Sequence, residues 1–139
     1  MKNPIQVRDI DHVVIRVNDV ERALVFYRDV LGCPVERVAE EIGLWQLRAG
    51  RSLIDLVPVD GQLGRMGGAG PEEQGHNMDH VCLRLDPWDP YALRDWLAMH
   101  DIDMGEVVSR YGAEGSGPSV YIADPEDNTV ELKGPPPAT

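Results

Sequence analysis

Apolar and polar positions alternate with a two-residue period over residues 10–17. Val13, Ile15 and Val17 face one way and His12, Val14 and Arg16 the other, as in a strand used on both faces. The period then lengthens. Ala23, Phe26, Tyr27, Val30 and Leu31 recur at helical spacing, which predicts a helix capped by Asn18 or Asp19 and stopped by Gly32. Short strands are predicted near 34–39, 43–48 and 52–57, the last two forming a hairpin across Arg48–Ser52. From Pro58 to Asn77 the periodicity disappears into text carrying Gly61, Gly64, Gly67, Gly68, Gly70 and Gly75. This segment reads as a linker, long enough to serve as a lid or a subunit-crossing arm. The first order then recurs. A strand over 79–85 precedes a helix capped by Asp86 or Asp89, with Pro90 at its first position and Leu93, Trp96, Leu97 and His100 as its apolar stripe. Strands near 105–110, 118–123 and 129–134 complete it, the last two joined by Asp124–Asn128. The expected class is α+β: one domain of two tandem βαβββ modules, about 7–60 and 78–134, whose strands form a curled mixed sheet, with the linker at about 58–77.

The repetition extends to individual residues. Asp11-His12-Val13-Val14-Ile15-Arg16-Val17 is echoed by Asp79-His80-Val81-Cys82-Leu83-Arg84-Leu85, and Ser52-Leu53-Ile54-Asp55-Leu56 by Asn128-Thr129-Val130-Glu131-Leu132. Each module thus runs from a strand histidine to a strand carboxylate. A single strand histidine is more often structural than a ligand. Two at matching positions, each with a downstream carboxylate, point instead to one metal site assembled from two copies of a module: His12, His80, Glu131 and Asp55. His76, in the linker, and His100, at a helix end where an imidazolium suits the dipole, are expected to lie outside it.

Charge narrows the partners. With 24 acidic and 13 basic residues the net charge is −11, and no Lys/Arg run exists to bind nucleic acid. Apolar stretches are strand-sized and interrupted by charges, so no membrane span is expected, and an N-terminus without an apolar h-region reads as cytoplasmic. Cys33 and Cys82 are too few and too far apart for a disulfide framework.

Three stretches together carry a resemblance to the vicinal-oxygen-chelate superfamily, which includes glyoxalase I, methylmalonyl-CoA epimerase, extradiol dioxygenases, fosfomycin-resistance thiol transferases and bleomycin-binding proteins. They are Asp-His-Val at each module start, Phe26-Tyr27-Arg28-Asp29-Val30-Leu31-Gly32, and Asp124 to Leu132. The likeness covers about 7–134. It implies a cup with His12, His80 and Glu131 as ligands to one divalent ion (Ni, Zn, Mn, Co or Fe), with Asp55 as fourth ligand or as a base. It also implies a homodimer, and a glyoxalase-I-type lyase or isomerase that stabilises an enediolate while Glu131 or Asp55 moves the proton. Glutathione is a possible co-substrate, because Arg16 matches an arginine that holds its carboxylate; the asparagine expected beyond the first carboxylate is replaced around Pro58-Val59, which counts against glutathione. The runner-up is a ring-cleaving dioxygenase with a two-His-one-carboxylate Fe(II) site. A third reading is a drug- or metabolite-binding protein without catalysis.

The substrate expected is small and anionic, with two adjacent oxygens. Arg16, Arg84 and Lys133 share the ligand faces and could ring the cup with positive charge. A shared hairpin register would set Trp45 opposite Asp55 and Tyr121 opposite Glu131, adding both aromatics to the substrate wall. Tyr111 to Tyr121 also looks partly like the ion-binding loop of the fosfomycin-resistance enzymes, although Val14 stands where those carry a threonine.

Overall fold

A computed structural model describes residues 1–138. Two compact units divide at Pro71/Glu72, and each is one module.

In the first unit, β1 (His12–Val17) leads into α1 (Val20–Leu24), which continues as a π-helical turn over Val25–Val30. Asp19 is the cap and accepts from the backbone N–H of Arg22 at 3.1 Å. Gly32, at φ +76°, ends the helix, and the Cys33 N–H reaches back to the Tyr27 carbonyl. That closure requires a left-handed residue at 32, which glycine adopts without strain. Strands β2 (Val35–Ala39), β3 (Leu44–Ala49) and β4 (Ser52–Pro58) follow. The sheet order is β1-β4-β3-β2, with β4 parallel to β1 and antiparallel to β3. Ile15, Val17, Leu47, Ile54 and Leu56 are buried, as are Ala23, Leu24, Phe26, Tyr27 and Val30 of the helical segment. Alternation therefore sends one face of the sheet into the core and leaves the other to His12, Val14, Arg16 and Asp55.

The Gly-rich segment read as a linker carries structure of its own. Residues 58–71 fold onto the first unit through a short helix, α2 (Gln62–Arg65), beside the apolar cluster of Ala39, Leu44 and Val57, which Ile42 and Leu63 extend. Arg16 donates from Nε to the Gly64 carbonyl at 3.1 Å and from Nη2 to the Gly68 carbonyl at 2.5 Å, and Asn18 donates to the Pro71 carbonyl. The glycines are what allow this approach. A Cβ on Gly64 would stand 1.9 Å from the Pro58 carbonyl oxygen, and one on Gly67 2.5 Å from Arg16 Nε.

The second unit repeats the plan: β5 (His80–Arg84), α3 (Pro90–Met99), β6 (Val108–Gly112), β7 (Gly115–Ala123) and β8 (Thr129–Lys133), in the order β5-β8-β7-β6. Asp89 caps α3. Most of Tyr111–Tyr121, the stretch that looks partly like an ion-binding loop, is a tight hairpin, with Gly112 paired to Gly115 and β7 beginning immediately after the turn.

Strand β8 starts from a buried polar knot. Asp124 accepts from the backbone N–H groups of Glu126 and Asn128 at 2.8 and 2.9 Å and from the Asn128 side-chain amide at 2.9 Å, with Asn128 only 1% exposed. Removing that acceptor strands buried donors. Asp124→Ala is expected to lower unfolding free energy by about 2–4 kcal/mol. A urea titration measures it, and a loss under about 0.5 kcal/mol would show that the knot is dispensable.

Candidate functional site

The parallel ladders put a histidine and a carboxylate on the same face of each sheet. Val14 pairs with Asp55 and Cys82 with Glu131, so Asp55 and Glu131 hold equivalent places, one strand over and two residues along from His12 and His80. Both carboxylates are buried, Asp55 at 3% exposure and Glu131 at 5%, while the histidines are partly open. Each imidazole is held in the same way. Nδ1 of His12 lies 2.7 Å from Asp11 Oδ2, and Nδ1 of His80 lies 2.6 Å from Asp79 Oδ1. These aspartates precede the histidines in the repeated text, which was the signal for them. Their role as orienting partners emerges only from the geometry.

In the second unit His80 Nε2 is 3.3 Å from Glu131 Oε1, and Tyr121, opposite Glu131 in the ladder, meets the His80 ring edge-on at 5.6 Å. Cys82 shares this face. Partial burial, then the neighbouring Glu131 carboxylate, push its thiol up to about 11. In the first unit the hydrogen bond to Asp11, then the charge of Asp55, raise the His12 imidazole above its ordinary 6.5.

One expectation fails on register. Gln46, not Trp45, lies opposite Asp55, and Trp45 pairs with Leu56 on the core face. The hairpin closes through a two-residue turn, Ala49 pairing with Ser52 and Gly50 at φ +62°, where a three-residue loop across 48–52 was expected. A one-residue slip turns every side chain over. Gln46 takes the place facing the site and donates from Nε2 to both Asp55 oxygens at 3.3 and 3.2 Å, while Arg37 donates to Gln46 Oε1 at 2.9 Å.

The expected ring of cations is largely committed within the protein. Arg16 holds the glycine loop. Arg84 donates to Glu114 at 2.8 Å and to the Leu85 carbonyl. Lys133, 5% exposed, donates to the carbonyls of Arg110 at 2.6 Å and Gly117 at 3.2 Å, its stem lying where a Cβ on Gly112 would be 2.7 Å from Cε. His100 caps α3 against Trp96, with its buried Nε2 lacking a hydrogen-bond partner.

The donor sets suit a divalent cation. His80 Nε2 and Glu131 Oε1, 3.3 Å apart, are an imidazole nitrogen and a carboxylate oxygen of the kind that hold divalent ions. Each unit offers one imidazole and one carboxylate, and among the described residues no group of three or more His, Cys, Asp and Glu suited to a metal assembles.

A family model described as the Glyoxalase/Bleomycin resistance protein/Dioxygenase superfamily matches residues 9–132, and the chain belongs to that superfamily. The mitochondrial methylmalonyl-CoA epimerase of Mus musculus is 30% identical over 81 residues, 55% of this chain and 46% of that protein, so the match spans about half of the relative's length. Among solved structures the fold is similar to a virulence protein from Salmonella typhimurium, with a TM-score of 0.77 and 23% identity over 94% of this chain and 99% of that one. It is also similar to lactoylglutathione lyase from Agrobacterium tumefaciens (0.67, 23%, covering 93% and 95%) and to the fosfomycin resistance protein FosX from Mesorhizobium loti (0.64, 16%, covering 93% of each). At these identities the likeness concerns the fold alone.

The raised His12 value sets a pH test on chelator-treated protein. A group whose folded value exceeds its unfolded one stabilises fully below the unfolded value, and that stabilisation is lost as pH rises through the folded value. By proton NMR His12 is expected to titrate above 6.5 and to fall back toward it in Asp11→Asn. An unchanged titration in that variant would remove Asp11 as the cause.

Proposed function

We propose that the protein is a divalent-metal-dependent lyase or isomerase of the glyoxalase I kind, moving a proton on a small anionic substrate with two neighbouring oxygens. The observation that carries this is the repeated aspartate–histidine–carboxylate arrangement, with Nδ1 contacts of 2.7 and 2.6 Å in the two modules. An imidazole whose second nitrogen is fixed by a carboxylate is oriented and made a better ligand. His12, Asp55, His80 and Glu131 would hold the ion. When bound, it supplies Lewis acidity toward the two substrate oxygens.

The residues divide the remaining work. Glu131 is the preferred base, since its identified neighbours on the open face are His80, Cys82 and Tyr121, and it is free of the amide clamp that Gln46 places on both oxygens of Asp55. Asp55, held by Gln46, which Arg37 in turn holds, is the better fixed ligand. Arg16 is engaged by Gly64 and Gly68, which favours a substrate other than glutathione. The same clamp on Asp55 supports the second reading, a ring-cleaving dioxygenase in which His12, His80 and Glu131 form the two-His-one-carboxylate set. A cytoplasmic homodimer remains part of the proposal: both sheets leave edge strands, β1 and β2 in one and β5 and β6 in the other, that a second copy can cover.

Metal stoichiometry after purification without chelator, read by elemental analysis, is expected near one per chain and to collapse in His80→Ala. Asp79→Asn, which keeps the ligand but loosens its orientation, is expected to weaken affinity by about 10–100-fold. Full occupancy in His80→Ala would sink the ligand assignment.

The chemistry is read by following deuterium uptake from heavy water into products. The panel is the hemithioacetal of methylglyoxal and glutathione, malonyl-type thioesters, and small hydroxy- and keto-acids, with catechols under oxygen as the competing assay. Exchange that disappears in Glu131→Gln supports the lyase or isomerase reading. Oxygen consumption with catechols and no exchange overturns it.

A further inference from the structure

Arg110 has no place in the site as the sequence presents it, yet it stands on the same face as His80 and Glu131. On β6 it pairs with Gly117 of β7, and its guanidinium lies over the Tyr121 ring with Cζ 4.1 Å from the centroid. Nη1 donates to the Ser119 carbonyl at 2.9 Å and to Ser119 Oγ at 2.8 Å. Ser119 is fully buried, so this end of the group is anchored. Stacking fixes the plane and the Ser119 contacts fix the rotation. What remains is the side-on edge formed by Nε and Nη2, for which no acceptor exists among the described residues. That edge is the one that meets a carboxylate or phosphate with two parallel hydrogen bonds.

Charge points the same way. Arg84 is neutralised by Glu114, whereas neither Arg110 nor the neighbouring buried Lys133 has a carboxylate within ion-pair distance among the described residues. Lys133 is satisfied by backbone carbonyls, one of them that of Arg110 itself. In a chain of net charge −11, two adjacent cations on one face thus lack acidic partners at ion-pair distance among the described residues. A solvated surface arginine would need neither the anchoring serine nor the ring beneath it.

We propose that Arg110 is the anion-recognition residue of this face, its Nε–Nη2 edge gripping a carboxylate or phosphate group of the substrate while Tyr121 carries the guanidinium. This rests on the anionic-substrate part of the proposed function and deepens it. The spans from His80 to Tyr121, 5.6 Å, and from Tyr121 to Arg110, 4.1 Å, place the gripped group within one small molecule of the reacting pair. Substrates are thereby selected for an anionic group at a distance from the oxygens that react.

The test uses chelator-treated full-length protein, so that it reads anion binding apart from any metal chemistry. Inorganic phosphate and succinate serve as probes, titrated by calorimetry and by the NMR signal of the Arg110 side-chain Nε–H. Both are expected to bind and to shift that signal. Arg110→Gln is expected to weaken binding about tenfold or more, Arg110→Lys to restore only part of it, and Tyr121→Leu to weaken it while Tyr121→Phe does not. Glu131→Gln is expected to keep phosphate binding, so a protein that grips anions but takes up no metal fails the proposed function and leaves this inference standing. Binding of both probes at wild-type strength by a folded Arg110→Gln variant, or an Nε–H signal that does not move at saturation, overturns it.

Discussion

The parallel ladder between the first and last strand of each module is the constraint on which the rest depends. Because side chains alternate with period two, a shift of one residue in that ladder would carry Asp55 or Glu131 through the sheet into the core and bring an apolar neighbour out in its place. The register is held from both sides. Ile15 and Val17 lie against Ile54 and Leu56 beneath the helix, and the buried knot of Asp124 and Asn128 fixes where β8 begins. The positions of the two carboxylates are thus a consequence of core packing and, for Glu131, of one satisfied polar loop.

That packing also sets the electrostatics. Two carboxylates that are almost fully buried would be costly without partners. Asp55 has the Gln46 amide and the field of His12; Glu131 has His80 and the Cys82 thiol. The histidines are partly exposed and are each tied to a preceding aspartate, so the polar groups converge on the open face of each sheet instead of dispersing into solvent.

Much of this was legible in the text because it depends on short-range rules. Period-two alternation located β1 and β5, capping residues located α1 and α3, and the echo of Ser52–Leu56 in Asn128–Leu132 gave the equivalence of Asp55 with Glu131. The failures belong to tertiary or turn-level choices that composition does not encode. The glycines at 64 and 67 signalled a loop, but their purpose, close approach to Pro58 and Arg16, exists only once the chain folds back. The hairpin at Gly50 could close with two or three residues, and the difference exchanged Trp45 for Gln46. Arg16, Arg84 and Lys133 were placed on the right faces, yet a face does not say whether a cation meets a substrate or a neighbouring carbonyl. Arg110 was invisible because its meaning lies in what surrounds it.

Duplication explains why the two halves look alike; their differences indicate how the work is divided. Equivalent ladder positions hold Gln46 and Tyr121, and this one change alters what each carboxylate can do. An amide opposite Asp55 donates hydrogen bonds to both carboxylate oxygens and fixes their orientation. A ring opposite Glu131 makes no such demand. It borders the carboxylate with an aromatic ring, and the same ring carries the Arg110 guanidinium. Divergence at a single cross-strand neighbour is enough to give the two carboxylates different surroundings, because in a half-buried sheet the residue directly opposite decides whether a carboxylate is held by a donor or bordered by a ring.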